Sequence, residues 1–543
     1  MNYKQIYEQW LNEPTLEEEH RKELLSYSEK EIEDAFYQEL SFGTGGIRGI
    51  MGIGPNRVNI YTVRKATLGL AKYLLMHKKL NGVAIAYDNR KDSRTFAFEA
   101  AKVLAACGIK SFVFPQLRPT PMLSFAVRYK KTSAGIMITA SHNPKEYNGF
   151  KVYNETGAQM NVDEANAVIN QINMIASPFG IHTVENDLIN LIDEDVEKAY
   201  IKLVETISIK DEPKQLKLTY SPLHGTGGTV IPTLLAKHGY EVYPVLEQMK
   251  VDPTFSQTKS SNPEEELAFE LSLQYAKKYD ADIVLVTDPD ADRLGIAVKH
   301  NGVYQLINGN QTASLTLYYI LKHAPKQEGF VYTTIVTSAL VKEIALSFNQ
   351  RVGETLTGFK FIGEQAELKQ NIPYRFGCEE SYGSLIKDFV RDKDAVQACF
   401  MLAEIANHYK REGKTLVDVL EEIYKTYGYY VEHTENITLK GKSGGEKIKA
   451  IMNYVRIHGL HIPSFKVEHI IDYNHGYVNP NHVILPASDV VKFVNNDGFI
   501  VFRPSGTEPK LKIYFSIKKN EQTLASNYVK LLVKEVMDII HNI

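Results

Sequence analysis

Short apolar segments alternate with amphipathic segments along most of this 543-residue chain. Short, largely apolar segments predict strands at residues 83–87, 111–114, 134–139, 216–220 and 283–286. Intervening segments with helical spacing, such as residues 95–106 and 230–238, predict helices. Helices that alternate with short buried strands indicate βαβ units on mixed sheets.

The same alternation continues into the second half of the chain and then changes character. A helix at 312–322, a strand at 330–336 and a helix at 338–348 form a third group of alternating helices and strands, after those at about 83–139 and 216–286. The last hundred residues combine strands at 498–502 and 511–515 with a helix from Glu521 onward. The predicted fold class is therefore α/β, with three related mixed-sheet α/β domains followed by a C-terminal α+β domain.

The ends of these groups of alternating helices and strands predict the domain boundaries. A chain of this length is expected to form three to five domains. We predict domains at residues 1–190, 191–303, 304–430 and 431–543, and an amphipathic helical segment within the first 40 residues. The polar stretch at residues 440–446, rich in glycine, predicts a loop.

Charge and cysteine content limit the possible partners and compartment. The formal net charge of −3 argues against a nucleic-acid binder, although it leaves room for a local cationic cleft. The three cysteines lie far apart, which argues against a disulfide framework and for a reducing compartment. We find no signal or transit peptide pattern and no apolar run of about 18 residues, so we expect a cytoplasmic protein without a membrane partner. The oligomeric state stays open.

The first motif with candidate chemistry is Thr139-Ala-Ser-His-Asn-Pro144. It directly follows a predicted buried strand, which places Ser141 at a strand end, where α/β proteins bind ligands. The Asn-Pro pair favours a turn, and Lys151 follows closely with an amine. The structural alternative is an ordinary loop serine beside a turn.

The second motif is Thr287-Asp-Pro-Asp-Ala-Asp-Arg293, which leaves another buried strand. Its three carboxylates could converge on a hard divalent cation, and Mg²⁺ suits them if a phosphate supplies further oxygen. A solvated acidic turn is the alternative, but a trio without a cation would repel itself. Arg293 beside it could hold a phosphate or shape the loop. An EF-hand is excluded because Arg293 stands where that loop needs glycine.

The third motif is Arg503-Pro-Ser-Gly-Thr-Glu-Pro-Lys510, which combines a guanidinium, two hydroxyls and a glycine in one loop. These groups could form a phosphate cradle; a plain turn before a strand is the alternative. Two weaker segments are the glycine-rich stretch around Arg48 and the polar loop Gly377-Cys-Glu-Glu-Ser-Tyr-Gly383. The turn His224-Gly-Thr-Gly-Gly228 lacks the third glycine of a dinucleotide motif.

Together these motifs closely resemble the α-D-phosphohexomutase superfamily, in the family's order and over nearly the whole chain. The segment Thr357-Gly-Phe-Lys-Phe-Ile-Gly363 is similar to the phosphoglucomutase/phosphopentomutase branch. The resemblance implies four domains around a central cleft, each contributing a loop. It also implies glucose 1-phosphate and glucose 6-phosphate as substrates, through a phosphoserine and glucose 1,6-bisphosphate as intermediate and activator.

The resemblance also assigns roles to individual residues. Ser141 would carry the phosphoryl group, and one Mg²⁺ would be bound by Asp288, Asp290, Asp292 and the phosphate of Ser141. Arg48 and Lys151 would serve proton transfer and active-site charge. The sugar phosphate would contact Lys360, Glu379, Ser381, Arg503, Ser505, Gly506 and Thr507. Beyond the resemblance, we expect the cationic side chains of Arg293 and Lys510 to bind the same sugar phosphate. From the residues alone, either Lys151 or His142 could be the base, and Lys151 only if cationic neighbours such as Arg48 lower its pKa.

Three alternatives remain. A phosphopentomutase or phosphomannomutase could use the same scaffold, although Cys378, Tyr382 and Gly383 differ from bacterial enzymes that accept mannose. A phosphatase or mutase of the haloacid-dehalogenase type would use Asp288 as nucleophile, but it would need Thr or Val at position 292. A sugar-phosphate sensor without activity would not need the complete set of site residues.

Overall fold

The computed structural model describes residues 2–43, 45–439, 441–505 and 510–543, with residues 441 and 442 described as backbone only. These residues form two units. The first comprises the chain up to Leu306 together with Ala366–Leu368 and Gly383–Asn407. The second comprises Ile307–Gln365, Lys369–Tyr382 and His408–Ile543.

Helices occupy both units. In chain order they are α1 (Tyr3–Leu11), α2 (Glu18–Ser26), α3 (Glu29–Phe36), α4 (Ile60–Met76), α5 (Ser93–Ala106), α6 (Thr120–Lys130), α7 (Val162–Asn173), α8 (Glu194–Glu205), α9 (Ile231–Lys237), α10 (Leu246–Met249), α11 (Glu270–Tyr279), α12 (Gly309–His323), α13 (Ala339–Ser347), α14 (Phe359–Leu368), α15 (Ala395–Arg411), α16 (Leu416–Tyr427), α17 (Gly441–His458) and α18 (Gln522–His541).

The strands are mostly short. In chain order they are β1 (Ile47–Ile50), β2 (Val83–Tyr87), β3 (Ser111–Val113), β4 (Ala134–Ile138), β5 (Tyr147–Asn154), β6 (Ile189–Leu191), β7 (Lys217–Ser221), β8 (Glu241–Pro244), β9 (Ile283–Thr287), β10 (Leu294–His300), β11 (Val303–Ile307), β12 (Phe330–Thr334), β13 (Arg351–Thr355), β14 (Tyr374–Cys378), β15 (Ser384–Leu385), β16 (Tyr429–Thr438), β17 (His469–Asp472), β18 (Tyr477–Val478), β19 (Ile484–Leu485), β20 (Val491–Asn495), β21 (Gly498–Pro504) and β22 (Lys510–Lys519).

Two mixed sheets organise the first unit. The six-stranded sheet has the order β1-β5-β4-β2-β3-β6, with β2, β3, β4 and β6 parallel and with β5 antiparallel to both β4 and β1. The five-stranded sheet has the order β11-β10-β9-β7-β8, with a parallel centre and with β10 antiparallel to β9. Strands β2, β4 and β9 are buried at every position, which explains their unbroken apolar sequences.

The second unit contains parallel strand pairs around β12 and an antiparallel C-terminal sheet. Strand β12 pairs in parallel with both β13 and β14, and helices α12 and α13 flank β12 along the chain. The C-terminal sheet is antiparallel in the order β16-β22-β21-β20-β17. Helix α18 contributes Val529, Leu532 and Val536 to the core of this C-terminal layer. The chain thus has α/β layers with mixed sheets and a C-terminal domain of different construction, as the sequence predicts.

The N-terminal helices form one core with the six-stranded sheet. Trp10, the single tryptophan of the chain, is 5% exposed and meets Phe36, Tyr61 and Phe179 at ring-centroid distances of 5.8, 5.7 and 4.7 Å. These edge contacts attach α1 to the domain behind it. The helical segment predicted for the first 40 residues is therefore confirmed, as three short helices.

One predicted element is wrong. Residues 441–446 of the stretch predicted as a loop are helical, because α17 begins at Gly441 and continues to His458, while residue 440 lies outside the described residues. Ile448, Ile451, Met452 and Val455 recur at helical spacing and are buried in the C-terminal core. This burial favours the helix and outweighs the low helix propensity of the glycines at its start. In the part of the chain that the structure describes, no helix has the length and apolar character needed to cross a membrane.

Candidate active site

The candidate nucleophile lies at the end of a central strand of the first unit. Strand β4 runs directly into Thr139, Ala140 and Ser141, and Ser141 is 2% exposed. Its backbone is left-handed, with φ +53°, and its N–H donates to the Thr139 hydroxyl at 2.8 Å. A non-glycine residue in this region is strained, and such strain is typical of functional turns. The Ser141 hydroxyl donates to Asp288 Oδ2 at 2.8 Å.

The aspartate motif follows the buried strand β9, so its carboxylates meet the serine loop inside the first unit. Carboxylate oxygens of Asp288, Asp290 and Asp292 all lie within 4.8 Å of one another, and the three residues are at most 2% exposed. Asp288 Oδ1 accepts the N–H groups of Asp292 and Arg293 at 3.1 and 3.0 Å. Among the described residues, Asp290 Oδ1 and Asp292 Oδ1 have no hydrogen-bond donor.

These orphaned oxygens fit a hard cation. Buried carboxylate oxygens without donors are costly, and hard divalent cations such as Mg²⁺ and Ca²⁺ bind oxygen ligands. Burial, together with the charges of Asp290 and Asp292, raises the pKa of Asp288 well above its usual range. The site thus resists holding three negative charges and would be stabilised by a bound metal ion.

Lys151 already supplies part of the opposing charge. Its ammonium donates to Asp290 Oδ2 at 2.9 Å and lies 3.7 Å from Asp292 Oδ2. Burial alone would lower the pKa of the Lys151 amine, but the carboxylates of Asp290 and Asp292 outweigh burial and raise this pKa. This differs from the lowered pKa that a lysine base requires, because anionic neighbours rather than Arg48 dominate its surroundings.

His142 and Arg48 also lie beside the serine loop. His142 Nδ1 is 3.2 Å from the Ser141 hydroxyl, and burial, reinforced by Arg293 and Arg48, lowers the pKa of this imidazole to about 2. The ring is therefore neutral at physiological pH. Arg48, on β1 opposite Gly149 of β5, donates to the Asn143 side chain at 2.9 Å.

A polar cavity opens beside the serine loop. It has a volume of about 660 Å³ and is lined by His142, Asn143, Pro144, Lys145, Glu146, Thr254, Phe255, Ser256, Thr258, Lys259, Ser260, Ser261, Asn262 and Glu265. The Ser261 hydroxyl donates to the carbonyls of His142 and Asn143 at 2.9 and 3.2 Å. This volume is within the range of small-molecule sites, and the polar lining suits a hydrophilic ligand.

Lys393 is a functional candidate that sequence reasoning missed. Its ammonium lies 3.2 Å from Asp292 Oδ2 and 3.2 Å from Asp392 Oδ1, and Asp392 accepts the Tyr153 hydroxyl at 2.7 Å. The charged run of residues 391–394 has the sequence of a solvated surface, yet Arg391, Asp392 and Asp394 are at most 4% exposed. The signal available in the sequence was that these four consecutive charged residues directly precede an apolar helix, which could have indicated that they are buried.

The glycine-rich turn before α9 braces the aspartate loop. The N–H and the hydroxyl of Thr226 both donate to the Pro289 carbonyl, at 2.8 and 3.0 Å. A Cβ at Gly225 would lie 2.5 Å from that same carbonyl oxygen, so the turn approaches as closely as only glycine permits. Arg293, in turn, is paired with Glu264 at 2.5 Å. The turn is thus a structural support, as its lack of a nucleotide fingerprint indicates.

The second unit contains the loops expected to contact sugar. Glu379 follows β14, is 6% exposed and accepts the Gly358 N–H at 2.7 Å, just before α14. Lys360 lies in the first turn of that helix. Burial lowers the pKa of its amine to about 8, although the negative charge of Glu364 acts in the opposite direction and raises it. Ser381 is half-buried next to Tyr382, whose φ is +65°. Glu379 therefore attaches the sugar loop to the segment that carries Lys360.

Glu380 is a second acid in this loop. Its Oε2 accepts the hydroxyls of Thr334 and Thr337 at 3.2 and 3.3 Å. Burial and the charge of Glu379 raise the pKa of Glu380 to about 7. The carboxyl is therefore close to half-protonated at neutral pH.

The phosphate loop candidate joins β21 to β22. Arg503 donates to the Tyr514 hydroxyl at 3.3 Å, and the Ser505 N–H donates to the Lys510 carbonyl at 2.8 Å. Burial raises the pKa of Tyr514 to about 12, so this phenol stays protonated. Gly506 and Thr507 lie outside the described residues.

Comparison with known proteins gives matches along most of the chain. Four domain descriptions of phosphoglucomutase/phosphomannomutase match in order: the alpha/beta/alpha domains I, II and III at residues 39–178, 198–302 and 308–427, and the C-terminal domain at 465–526. A phosphoglucomutase of Staphylococcus haemolyticus is 39% identical over 503 residues, which cover 89% of this chain and 91% of that protein.

Two solved structures have the same fold. The parafusin phosphoglucomutase of Paramecium, in an open form, has a TM-score of 0.71 at 19% identity, covering 91% of this chain and 95% of its own. A phosphoglucomutase/phosphomannomutase family protein of Burkholderia thailandensis has a TM-score of 0.69 at 18% identity, covering 91% and 96%.

Proposed function

Because the chain belongs to the phosphoglucomutase/phosphomannomutase family, we propose that it interconverts α-D-glucose 1-phosphate and glucose 6-phosphate through a phosphorylated Ser141. One observation carries the assignment of Ser141: its hydroxyl donates, at 2.8 Å, to Asp288, which belongs to a trio of buried carboxylates. Such a trio can bind a cation and so suits phosphoryl transfer, because catalysis of that reaction depends on electrostatic stabilisation more than on covalent chemistry by the protein.

The reaction is proposed in two transfers. The bond between phosphorus and the Ser141 oxygen breaks while the free hydroxyl oxygen of the sugar phosphate bonds to that phosphorus, and the proton of this hydroxyl passes to the leaving Ser141 oxygen. The product is glucose 1,6-bisphosphate, whose other phosphoryl group then passes to the Ser141 oxygen while the serine proton moves to the sugar oxygen that is left. Each turnover therefore leaves the enzyme phosphorylated, and added bisphosphate would phosphorylate an enzyme that has lost the group.

We propose that Asp288, Asp290 and Asp292 hold one Mg²⁺, together with the phosphate on Ser141. When bound, this ion would neutralise charge on the phosphoryl group under transfer. Lys151, which contacts Asp290, and Lys393, which contacts Asp292, place two further cations at the carboxylates. His142 and Asp288 are the groups within hydrogen-bond distance of the Ser141 hydroxyl and are the candidates to receive or hold its proton.

Substrate recognition is proposed for the sugar and phosphate loops expected from the sequence. Glu379 and Ser381 would accept or donate hydrogen bonds to sugar hydroxyls, and Lys360 would supply a cation beside them. Arg503, Ser505, Gly506, Thr507 and Lys510 would bind the phosphate that is not transferred, with Arg293 and Arg48 adding positive charge. A site that accepts either end of the sugar must recognise charge rather than ring detail, which suits a guanidinium.

We also propose the four domains at residues 1–190, 191–303, 304–430 and 431–543. Support comes from the four matched family segments, each of which falls inside one of these ranges. Each domain would contribute one of the loops named above.

A coupled assay on glucose 1-phosphate tests the activity, with mannose 1-phosphate and ribose 1-phosphate as competing substrates. We expect kcat/KM to be highest for glucose 1-phosphate; a higher value for either of the others would reassign the enzyme to phosphomannomutase or phosphopentomutase activity.

Labelled glucose 1,6-bisphosphate tests the nucleophile. We expect acid-stable label on Ser141 and none on Ser141→Ala. Label that hydroxylamine removes, mapped to Asp288, would identify an acyl phosphate and the haloacid-dehalogenase type of mechanism instead.

A further inference from the structure

A buried arginine outside the motifs grips the serine loop. Arg90 lies in the turn between β2 and α5, and its side chain is 0% exposed. Its guanidinium donates to the carbonyls of Ser141 and Asn143 through Nη2, at 2.6 and 2.5 Å. Through Nη1 it donates to the carbonyls of Pro144 and Tyr147, at 2.8 and 2.9 Å. One side chain thus binds four carbonyls of the loop that carries the nucleophile.

The Arg90 guanidinium also forms a buried ion pair. Arg90 Nε lies 3.2 Å from Asp88 Oδ2, and the Asp88 side chain is likewise 0% exposed. Asp88 Oδ1 accepts the Arg90 N–H at 3.0 Å and the Ser93 hydroxyl at 2.8 Å. The ring of Phe255 lies 5.3 Å from the guanidinium carbon. Asp88 and the Phe255 ring therefore hold the guanidinium in one orientation, and Asp88 also fixes the backbone of Arg90.

This donor count separates Arg90 from the arginines proposed to bind phosphate. A guanidinium has five N–H donors, and here the four Nη donors bond to loop carbonyls. Among the described residues Nε makes no hydrogen bond, but it is buried 3.2 Å from Asp88 Oδ2 and has no access to a substrate oxygen. Arg90 therefore acts on the loop and leaves substrate binding to other residues.

The loop needs such a grip because its conformation is strained. Ser141 has φ +53°, in a region that non-glycine residues avoid, and a conformation of this kind persists only when its surroundings fix it. The Ser141 carbonyl, one of the groups that this φ orients, is an acceptor of Arg90. Losing the guanidinium would remove one donor from each of the four carbonyls and would release the serine to relax.

We propose that Arg90 is a positioning residue that holds the Ser141 hydroxyl at the carboxylate trio for phosphoryl transfer, and that Asp88 orients Arg90. The inference rests on the proposed role of Ser141. A lysine cannot replace Arg90, because an ammonium offers three donors at one point instead of five in a planar fork.

Kinetics of Arg90→Ala and Arg90→Lys test this role. Misplacement of a reacting group by about 1 Å lowers the rate by about 100-fold, so we expect kcat of both variants to fall by about that factor. KM for glucose 1-phosphate should stay within about twofold, because the Arg90 guanidinium is buried against the serine loop and Asp88 and does not reach substrate. Label transfer from glucose 1,6-bisphosphate to Ser141 should slow in parallel with kcat.

Chemical rescue separates a positioning role from general destabilisation. We expect N-ethylguanidinium, below concentrations that unfold the protein, to restore part of kcat in Arg90→Ala, whereas ethylammonium should not. Arg90 borders a cavity of about 590 Å³, which offers the small cation a way in. The matched control is Arg57→Ala, which removes another buried arginine, paired with Asp34 at 2.6 Å. This control should lower the melting temperature without changing kcat or responding to guanidinium.

The outcomes are distinguishable. If the wild type lacks both mutase turnover and label on Ser141, the proposed function fails. If the wild type is active and kcat of Arg90→Lys stays within about twofold of it, the positioning role is overturned, even if Arg90→Ala does not fold. Equal losses of kcat in Arg90→Lys and Arg57→Ala, or equal rescue by ethylammonium, would also overturn it.

Discussion

At the scale of single residues, buried ionisable groups carry most of the candidate chemistry, and their partners decide their charge. Lys151 stays cationic because two carboxylates outweigh its burial, whereas burial prevails at Lys360 and lowers its pKa to about 8. The same residue type is therefore a permanent cation at one position and a titrating one at the other. This difference leads to a kinetic prediction.

We expect KM for glucose 1-phosphate to rise as pH increases through about 8, because Lys360 loses its proton there and with it the attraction to an anionic substrate. In Lys360→Arg this rise should disappear, since a guanidinium stays charged. Steady-state kinetics over this pH range provide the measurement. Lys369→Arg, at a lysine that contacts the His482 carbonyl, is the control and should keep the wild-type profile. A wild-type KM that is flat across the range would contradict the prediction.

Glu380 leads to a prediction about stability. Its pKa is about 7 in the folded protein, raised from an ordinary value of 4.5, so folding strengthens proton binding at this group. Its contribution to stability is therefore complete below pH 4.5 and is lost as pH rises towards 7. We expect the free energy of unfolding of the wild type to fall over this interval relative to Glu380→Gln, which cannot ionise. Urea unfolding at a series of pH values measures the difference.

The control for Glu380 is Glu328→Gln. Glu328 pairs with Arg351 at the surface of the second unit, at 2.6 Å. Its pH profile of stability should run parallel to that of the wild type. Parallel profiles for Glu380→Gln as well would mean that Glu380 has an ordinary pKa in the folded state.

At the scale of elements, strand ends and the turns that brace them position the site. Strands β4 and β9 deliver Ser141 and Asp288, and the turn before α9 supports the aspartate loop through Thr226 and Pro289. Both strands could be predicted from their unbroken apolar sequences. The bracing contact could not, because it joins residues 63 positions apart.

We expect Gly225→Ala to displace the aspartate loop, because its new methyl group would lie 2.5 Å from the Pro289 carbonyl oxygen. Overpacking of this kind destabilises by about 1–3 kcal/mol. Mutase activity should then require more Mg²⁺ for half-saturation, as titration of the metal would measure. Gly228→Ala is the matched control in the same turn, since its methyl group would meet side-chain atoms of Pro222 and Met249 at 3.2 and 3.4 Å. Equal Mg²⁺ requirements in the two variants would argue against the bracing role.

The elements also indicate where sequence patterns are insufficient. Helix α17 was missed because its glycine-rich start resembles a loop, while its stability comes from Ile451 and Met452 in a core that the pattern does not reveal. Lys393 and Arg90 were missed for a related reason. Charged residues are mostly exposed, so a charged run indicates a surface unless its partners are known. The motifs at Ser141 and Asp288 could be found because they directly follow apolar strands.

At the scale of the whole molecule, the first unit contains the proposed metal site and would gain stability from occupying it. A ligand that binds only the folded state stabilises it by about 2.7 kcal/mol at 100 times its Kd. We therefore expect Mg²⁺ to raise the melting temperature of the chelator-treated protein, as calorimetry would measure. Asp290→Asn should reduce this shift, because it removes one of the carboxylates without changing the size of the residue. An undiminished shift would place the ion elsewhere.

The single tryptophan provides a fluorescent probe of the first unit. Trp10 is enclosed by Phe36, Tyr61 and Phe179, all in the first unit. Its emission should shift to longer wavelength when that aromatic cluster opens, whereas far-ultraviolet circular dichroism averages over the helices of both units. Coincident transitions by the two spectroscopies would indicate that the halves unfold together, and separate transitions would indicate that they unfold independently.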